Sequence, residues 1–531
     1  MRFVPLLSFM AASSTVLAEQ SPICIDGVLD DWADVPASVI DPVGDALGGI
    51  DFTAVSATDD DLFFFMRIQA VEDFDLSENN ALRIYLDTDV DASTGFSIGG
   101  IGAELEWHVG EIEGTFHHGG QQTTVYHKEI RFRGQPTVTS NDFEVAFGRD
   151  ALPDGKNPLF SGPNVRVLIT DGTGGDWMPD PEMPLTYTFD IGSVPPAKPR
   201  VFDRLNDDHL RIVTHNVWNN GPWNASRQPK FERLWRAVSP DIMHFQEISN
   251  HSAAETRDLV ASWLGGVWFA AGHSDCKTVS RYPITDTWTI DNNIAMLIDT
   301  SAAIGTQLLA INAHFPCCDN DSSRQQEADA VMAFIRDAYL PGGKLTLSED
   351  VPVMISGDLN LVGLAQQLET VVSGDIVNNI QYGKDFDPDP DGTELHNIVS
   401  RLTEKRMGYT WRRDSSHFWP GHLDFMIYSD SNLRRRHDFL VCTPEMSPDA
   451  LAANGLLSND SNASDHLIFC VDFAPPCIAD INGDDNVNVD DLITLIGNWG
   501  ACNKCSSDIN DDGQVNIDDL MEVLGSWGSC I

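Results

Sequence analysis

The sequence predicts a multidomain protein that combines an all-β region, an α/β region and a small helical region. Short strand-like runs fill residues 19–195 without a long helical period. Strand-like and helix-like segments then alternate over residues 210–474. A pattern of Asp and Asn side chains occurs twice in residues 477–531, and each copy is followed by a short helical run. A chain of 531 residues is too long for one hydrophobic core, which agrees with this division.

The composition indicates a globular and strongly acidic protein. Hydrophobic residues make up 42% of the chain, with 33 Lys and Arg against 80 Asp and Glu, for a formal charge of −47. Such a field repels polyanions and argues against tight nucleic-acid binding without metal. A nuclease stays possible, because bound divalent cations invert the local field. The acidity also fits a simple role in keeping an exported protein soluble.

Residues 1–18 are predicted to be a signal peptide. Arg2 gives a positive start, the run from Phe3 to Met10 is largely apolar, and Ala18 is a small residue suited to cleavage. No later run approaches the ~20 apolar residues that a membrane-spanning helix needs. Ten cysteines suit an oxidising compartment. We therefore expect an exported protein, in the periplasm, at the cell surface or in the medium.

Residues 19–195 are predicted to form a β-sandwich. Ala81–Asp87 and Val165–Ile169 are typical of its short strands. The opening stretch Ile25-Asp-Gly-Val-Leu-Asp-Asp-Trp-Ala33 resembles the start of family-9-like carbohydrate-binding and DOMON-type sandwiches. That resemblance implies a carbohydrate or an envelope component as ligand, and structural support of the next domain is the alternative.

Two smaller features belong to the same region. Asp87, Asp89 and Asp91 alternate just before Gly95, which fits either a Ca²⁺ site with oxygen ligands or a solvated acidic turn. Residues 196–209 are predicted to be a linker, and the Pro-rich stretch Val194–Arg200 indicates that it is semi-rigid.

Polar residues stand at or near the ends of successive strands in the α/β region. They are Asn216, Glu247, His314, Asp358, Asn360, Asp424, Asp465 and His466. Gly357 is expected to turn the backbone sharply after an apolar run, so that Asp358 and Asn360 point the same way. A base or metal ligand beside a neutral donor suits phosphoester hydrolysis. Gly-Asp-x-Asn alone is also a common turn, so the prediction depends on the whole series.

This series resembles the endonuclease/exonuclease/phosphatase superfamily, which has the deoxyribonuclease I fold. The resemblance implies a four-layer α/β sandwich over residues 210–474 and a metal-dependent phosphodiesterase. It implies that Asn216, Glu247 and Asp465 hold Mg²⁺ or Mn²⁺. It also implies a set of catalytic residues: His314, Asp358, Asn360, Asp424 and His466.

The resemblance further implies a role for each catalytic residue. His466 faces the scissile phosphate, and Asp424 accepts the other ring N–H. Asp358 activates or orients the attacking water, and Asn360 stabilises the phosphoryl oxygens. His314 donates to a phosphate oxygen or to the leaving group, as in the nuclease and sphingomyelinase branches. Which histidine is the base stays open.

The sequence leaves several functions and substrates open. A nuclease is favoured, and the alternatives are a sphingomyelinase-like phospholipid phosphodiesterase and a non-catalytic surface scaffold or adhesion protein. Basic residues available for phosphate contacts are Arg281, Arg324, Arg412, Arg413 and Arg434–Arg436, although surface solubility explains the last run equally. Phe418 and Trp419 fit either a lipid-inserting loop or, more simply, loop packing.

Residues 477–531 contain two copies of an EF-hand-like loop followed by a helix. The predicted Ca²⁺ ligands are Asp480, Asn482, Asp484, Asn488 and Asp491, and Asp508, Asn510, Asp512, Asn516 and Asp519. The pair resembles a dockerin module, which implies a cohesin-like or cell-surface partner. The Gly expected at loop position 6 is present as Gly513, but the first loop has Asp485 there.

The cysteines allow several disulfide pairings. One bridge within each repeat is plausible, and crossed pairs also fit the spacing. The candidate pairs are Cys477–Cys502 and Cys505–Cys530 in the repeats, Cys442–Cys470, and Cys276 with Cys317 or Cys318. Cys24 has no obvious partner in the sequence.

Overall fold

The structure is a computed structural model. It describes residues 22–172, 175–190, 192, 194–482, 484, 486–502, 505–509 and 513–529. The predicted signal peptide, Asp485, Asn510, Asp512 and Cys530 lie outside the described residues. Within the described part of the chain, no helix combines the length and the apolar character needed to cross a membrane.

The N-terminal region forms two antiparallel sheets. Its elements are β1 Val39–Ile40, β2 Phe52–Asp59, β3 Phe63–Phe74, β4 Leu82–Asp87, β5 Phe96–Ile98, β6 Ile101–Ala103, β7 Leu105–His108, β8 Glu113–His118, β9 Gln121–Val125, α1 His127–Ile130, β10 Arg133–Gln135, β11 Ser140–Gly148, β12 Asn164–Asp171, β13 Trp177–Met178 and β14 Leu185–Thr188. One sheet has the order β1-β2-β3-β11-β10, and the other has the order β13-β12-β4-β7-β8-β9 with β14 beside β12. The apolar inner faces of both sheets share one core, as in a β-sandwich.

Strand β3 shows how this sandwich joins the rest of the chain. Successive side chains of a strand point to opposite faces. Phe64 and Met66 therefore face the core between the two sheets, whereas Phe63 and Phe65 face the central domain. All four are buried, which explains the unbroken apolar run at this point. Ile25 adds a backbone bridge to Met407 of the central domain.

The central domain alternates strands and helices along the chain. Its elements are β15 Leu210–Asn216, α2 Gln228–Val238, β16 Ile242–Gln246, α3 Ala253–Leu264, β17 Phe269–His273, β18 Cys276–Ser280, β19 Ile284–Ile290, β20 Asn293–Ile298, α4 Ser301–Ile304, β21 Leu308–His314, α5 Asp321–Tyr339, β22 Val353–Asp358, α6 Gln366–Ser373, α7 Asn379–Tyr382, β23 His396–Asn397, β24 Asp424–Tyr428, β25 Arg434–Val441, α8 Pro448–Ala453 and β26 Ile468–Ala474. Its two sheets have the orders β17-β18-β16-β15-β26-β25 and β19-β20-β21-β22-β24-β23.

These elements stack in four layers: helices, sheet, sheet, helices. Ile212 of β15 and Met354 of β22 pack in the core between the two sheets. The alternate residue Val213 packs against Trp235 of α2, and Ile355 of β22 belongs to the core under α5. The strands are thus buried on both faces, which is why they appear in the sequence as continuous apolar runs.

The segment predicted to be a linker lies against the central domain. Phe202 is 5% exposed and packs on Phe439 of β25. Arg200 forms an ion pair with Asp438, and Arg204 forms one with Asp241 at 2.6 Å. The segment is therefore held by a hydrophobic anchor and two ion pairs along its length, and it does not act as a free spacer.

The C-terminal region contains two helices and two small strand pairs. Its elements are β27 Asn486–Val487, α9 Val489–Gly497, β28 Gly500–Ala501, β29 Gln514–Val515, α10 Ile517–Gly525 and β30 Gly528–Ser529. β27 pairs with β30 and β28 pairs with β29, so each short pair links the two repeats. Val487, Leu495, Val515 and Val523 form the centre of a small separate core.

The disulfides differ from the pairs expected within each repeat. Cys502 is bonded to Cys505, so the bridge crosses from the first repeat to the second, with a Cα–Cα distance of 6.0 Å. This excludes the pairs Cys477–Cys502 and Cys505–Cys530. It selects the crossed alternative for Cys502 and Cys505.

The predicted bridges of the central domain are also wrong. Cys442 and Cys470 are free, because Cys442 packs in the core between the sheets whereas Cys470 packs in the core under α2 and α3. Two side chains on opposite faces of one sheet cannot bond. Cys276 is a free buried thiol, and Cys317 and Cys318 are free and exposed.

Candidate active site

Strand register places three polar residues side by side at one sheet edge. In the second sheet of the central domain, His314 of β21 pairs with Asp358 of β22, and Asp358 pairs with Asp424 of β24. β24 runs antiparallel to β22, so its first residue meets the last residue of β22. The three side chains therefore come together although they are far apart in sequence.

Gly357 has a different role from the expected sharp turn. It lies inside β22, paired with Ala313, and the strand continues to Asp358. Its φ is +146°, and a Cβ at this position would lie 1.9 Å from the carbonyl oxygen of Ala313. Glycine is needed here because the neighbouring strand approaches too closely for any side chain.

His466 lies two residues before β26 of the first sheet, and its side chain reaches the same group of residues. Its Nδ1 lies 2.8 Å from Oδ2 of Asp424, and its Nε2 lies 3.5 Å from Oδ2 of Asp358. The backbone N–H of Asp424 donates to Oγ1 of Thr410 at 2.8 Å, which fixes the backbone at that residue. His466 and Asp424 are both buried, so the imidazole has one orientation with Nε2 toward Asp358.

The electrostatics favour a positive imidazole at this position. Burial alone would lower the pKa of His466, but the carboxylates of Asp424 and Asp358 outweigh it and raise the pKa to about 10. Burial raises the pKa of Asp424 to about 6, against the attraction of His466. The pair therefore keeps its proton on the imidazole at neutral pH.

His314 has its own carboxylate partner, which sequence reasoning missed. Oδ2 of Asp275 lies 2.9 Å from Nδ1 of His314, and Nε2 of His314 lies 3.6 Å from Oδ2 of Asp358. Burial lowers the pKa of His314, but the bond to Asp275 and the charge of Asp358 raise it to about 9. Asp275 lies in the short turn between β17 and β18, where no strand-end pattern marks it.

The residues predicted to hold metal lie beside this group. Nδ2 of Asn216 donates to Oε1 of Glu247 at 3.1 Å and to Oδ2 of Asp358 at 2.8 Å. The backbone N–H of Asn219 donates to Oε2 of Glu247 at 2.7 Å, where the chain turns with Glu247 at φ +63°. Amide and carboxylate oxygens are the ligands that a hard divalent cation prefers.

The carboxylate of Asp465 shows whether a cation fits beside Asn216 and Glu247. Its Oδ1 is buried and has no hydrogen-bond partner among the residues that the structure describes. Burial lowers the pKa of Arg227, whereas the charges of Asp465 and Glu247 raise it, so both carboxylates lie near one guanidinium. An unpaired buried carboxylate oxygen is costly without a positive partner. The residues present therefore fit a divalent cation.

Asn360 is placed close to Asp358 but its amide is already engaged. Its Nδ2 donates to the carbonyl oxygen of Phe315 at 3.0 Å, and its backbone N–H donates to Oδ1 of Asp358 at 3.1 Å. One N–H of the amide remains for a substrate oxygen. The side chain is 6% exposed and its φ is +48°, so the turn after β22 holds it rigidly.

The predicted arginines separate into one near the site and several elsewhere. Arg413 is exposed and lies 5.1 Å over the ring of Trp218, two residues after Asn216. Arg324 is 1% exposed and binds backbone carbonyls, and Arg412 pairs with Asp414 and Glu445. The remaining positions, Arg281 and Arg434–Arg436, lie beside Asp241 and on β25. Arg413 is therefore the predicted residue best placed for a substrate phosphate.

The loop that carries Arg413 is anchored in the sandwich. Trp419 is 7% exposed, packs edge-on against Phe132, and donates from Nε1 to the carbonyl oxygen of Gly134 at 3.1 Å. Phe418 beside it is 41% exposed. The expected packing role thus holds for Trp419, and the packing is against another domain.

Acidic residues of the sandwich gather differently from the predicted set. Carboxylate oxygens of Asp87, Asp89 and Glu104 lie within 4.8 Å of one another. Asp91 lies outside this group, and its Oδ1 accepts from the backbone N–H and hydroxyl of Ser93. Asp87 faces Arg166 at 3.4 Å. Glu104 lies outside the alternating run and was therefore missed.

The two EF-hand-like loops each precede a helix, as predicted. In the first, Asp480, Asp484 and Asp491 have carboxylate oxygens within 4.8 Å of one another, although Arg434 also pairs with Asp480 at 3.1 Å. Asp491 accepts from the backbone N–H groups of Asn482 and Asn488.

The second loop repeats this arrangement where it is described. Asp519 accepts from the N–H groups of Ile509 and Asn516, and Asp508 accepts from the N–H of Gly513. Ca²⁺ binding by either loop stays a prediction.

Comparison with known proteins found similar solved structures, whereas no family model and no curated protein matches this chain. Humanized D. rerio TDP2 is 16% identical with a TM-score of 0.33, over 50% of this chain and 99% of that chain. An AP endonuclease from Archaeoglobus fulgidus is 12% identical with a TM-score of 0.31, over 49% and 98%. Sphingomyelinase C from Streptomyces griseocarneus is 13% identical with a TM-score of 0.30, over 50% and 99%. We therefore base the proposed function on the contacts of the site itself.

Proposed function

We propose that the central domain is a divalent-metal-dependent phosphodiesterase of the endonuclease/exonuclease/phosphatase type. One observation carries the proposal. His314 and His466 come from different sheets, each is held by its own carboxylate, and both Nε2 atoms lie within 3.6 Å of one oxygen of Asp358. Two imidazoles with fixed orientations, one on each side of a carboxylate, can transfer protons at the attacking oxygen and at the leaving oxygen of a phosphoester.

Each residue of the site has its own role in hydrolysis. Asp358 is the acceptor that orients the attacking water, because its Oδ2 faces both imidazoles. His466, fixed by Asp424, holds its Nε2 toward the phosphoryl group. His314, fixed by Asp275, donates to a phosphoryl oxygen or to the leaving oxygen. The free N–H of Asn360 stabilises charge on the remaining oxygens.

The metal would be held by Asn216, Glu247 and Asp465. When bound, Mg²⁺ or Mn²⁺ would neutralise negative charge on the phosphoryl oxygens. The local charge supports this assignment. Five carboxylates surround the site: Glu247, Asp275, Asp358, Asp424 and Asp465. The positive groups described near it are the two imidazoles, Arg227 and Arg413. An anionic substrate would be repelled without a further cation.

Within this class we propose a nuclease-type substrate. The guanidinium groups of Arg413 and Arg227 both lie over the ring of Trp218, at 5.1 and 5.0 Å from its centre. An aromatic ring with flanking guanidinium groups suits a nucleobase and its phosphate. The burial of Trp419 in the sandwich leaves Phe418 as the exposed aromatic of that loop, which weakens the case for lipid insertion.

A substrate panel tests the proposal. The purified full chain would be given plasmid DNA, RNA, sphingomyelin and bis-p-nitrophenyl phosphate with MgCl₂, with EDTA as the metal control. Cleavage of DNA or RNA that EDTA abolishes supports the proposal. Release of choline phosphate alone favours the sphingomyelinase-like alternative. Turnover of none of the four favours a non-catalytic scaffold.

The proposals for the N-terminal sandwich and the C-terminal repeats come from the sequence. We propose that the protein is exported, that its sandwich supports the catalytic loop or binds carbohydrate, and that the C-terminal repeats bind Ca²⁺ and a cohesin-like or surface partner. Removal of residues 477–531 should leave hydrolysis of bis-p-nitrophenyl phosphate unchanged. A large loss of activity on that removal would contradict a separate anchoring role.

A further inference from the structure

A second group of carboxylates lies at one edge of the sandwich. Asp41 follows β1, Asp45 lies in the loop between β1 and β2, and Asp176 precedes β13. Carboxylate oxygens of these three residues lie within 4.8 Å of one another. β1 and β13 belong to different sheets, so the cluster joins the two layers of the sandwich.

Asp41 is buried in this cluster without a partner. It is 8% exposed, and its Oδ2 is buried without a hydrogen-bond partner among the residues that the structure describes. Asp51 lies at the other end of the loop, and its Oδ1 is also buried without a hydrogen-bond partner among the described residues. Its Oδ2 accepts from the backbone N–H of Gly44 at 2.8 Å. Buried carboxylate oxygens that accept nothing need a cation or a proton.

The charges around Asp41 reinforce this requirement. Burial raises the pKa of Asp41, and together with the neighbouring charges it brings the pKa to about 6; those charges are Asp176, Asp45, Asp180 and Asp51. Both oxygens of Asp176 accept backbone N–H groups, from Phe52 and Trp177. Asp176 is therefore fixed in position beside Asp41.

We propose that Asp41, Asp45 and Asp176 bind one Ca²⁺, with Asp51 beside them. Ca²⁺ accepts six to eight oxygen ligands at about 2.3–2.6 Å, so ligand atoms on opposite sides of the ion lie up to about 5 Å apart. The observed spacing falls within that limit. All the ligands are carboxylates, without nitrogen or sulfur, which favours a hard cation over a transition metal. The ion ties the β1–β2 loop to β13 and so closes this edge of the sandwich.

Calcium counting on the full chain tests the site. Bound metal is removed by chelation, and Ca²⁺ binding is then measured by equilibrium dialysis against CaCl₂. The variants are Asp41→Asn and Asp45→Asn, and the matched control is Glu113→Gln, an exposed carboxylate on β8 of the same domain. Asp45 is itself exposed, so its substitution leaves packing intact.

Both cluster variants should bind one Ca²⁺ fewer per chain than the wild type and the Glu113→Gln control. Any other Ca²⁺ sites are common to all four proteins and cancel in the difference. Equal binding by the wild type, Asp41→Asn and Asp45→Asn would overturn the proposal. Neither result depends on hydrolytic activity, so the two proposals fail separately.

Thermal unfolding separates ion binding from a packing role of Asp41. In EDTA the Asp41→Asn variant should unfold at the same temperature as the wild type or higher, because the substitution removes a repelled charge. In CaCl₂ the wild type should gain more than the variant. A variant that unfolds below the wild type by the same amount in both solutions would show a packing role and overturn the proposal.

Discussion

Replacing Asp275 with Asn should shift the pH dependence of hydrolysis toward lower pH. Asp275 binds Nδ1 of His314 at 2.9 Å, and the pKa of His314 is raised from 6.5 to about 9 against the effect of burial. That rise is worth about 3 kcal/mol in favour of the protonated imidazole. Asp358 shares in it, so the loss of Asp275 should cost about half, or about one pH unit.

The sign follows from the role of His314 as a donor. A donor must be protonated, so activity falls as the pH rises through the pKa of His314. In Asp275→Asn this fall should begin about one pH unit earlier, so that kcat/KM should be about fivefold below the wild type near pH 9 and approach about tenfold below it at pH 10. The assay is kcat/KM for bis-p-nitrophenyl phosphate between pH 5.5 and pH 10 at saturating MgCl₂.

Asp286→Asn is the matched control, because Asp286 is exposed on β19 of the same domain. Its pH profile should superimpose on that of the wild type. If Asp275→Asn is folded and active and its profile also superimposes, Asp275 does not hold a proton on His314 during catalysis. The reasoning from this contact would then be wrong.

Three further sets of substitutions test the fold. Trp419→Ala should lower the free energy of unfolding by about 3–5 kcal/mol in urea titrations, because a buried indole is removed, whereas Phe418→Ala should change it by less than about 1 kcal/mol. Arg211 of β15 forms a buried ion pair with Asp472 of β26 at 2.6 Å. Arg211→Met should cost about 3–5 kcal/mol in the same titration, because it leaves Asp472 buried without its partner. Arg211→Met with Asp472→Leu should recover most of that loss. Gly357→Ala should prevent folding, as judged by soluble yield and far-UV circular dichroism, because the added Cβ meets a backbone oxygen at 1.9 Å.

Each of these substitutions has an outcome that would contradict its reasoning. Equal effects of Trp419→Ala and Phe418→Ala would mean that the sandwich does not anchor the loop. A double variant as unstable as Arg211→Met alone would mean that the unpaired charge is not the cause. The control for Gly357→Ala is Gly497→Ala, since a Cβ there meets nothing within 4 Å, and a folded Gly357→Ala protein would show that β21 and β22 can separate.

Much of the central site could be predicted because strand ends carry strong signals. Apolar runs that end in polar residues indicated β15, β16, β21 and β22. The register of β21, β22 and β24 could not be predicted, although it is what aligns His314, Asp358 and Asp424. Which strands are neighbours, and in which register they pair, depends on the tertiary fold, and local sequence patterns do not specify it.

The features that sequence reasoning missed share a physical cause. Asp275 lies in a two-residue turn, and Glu104 lies on a segment paired elsewhere in the sandwich, so both reach their clusters only through tertiary packing. Cys442 and Cys470 looked alike in sequence, but they face opposite sides of one sheet. Trp419 gave no sign of its partner, because Phe132 belongs to a different domain.

The most direct test of the central claim compares His466→Ala with the wild type in Mg²⁺-dependent hydrolysis of bis-p-nitrophenyl phosphate. His118→Ala, an exposed histidine on β8, is the matched control. The wild type and the control should hydrolyse the substrate at equal rates that EDTA abolishes, and His466→Ala should lose at least about a hundredfold in kcat. A folded His466→Ala protein with the wild-type rate would contradict the assignment of this site.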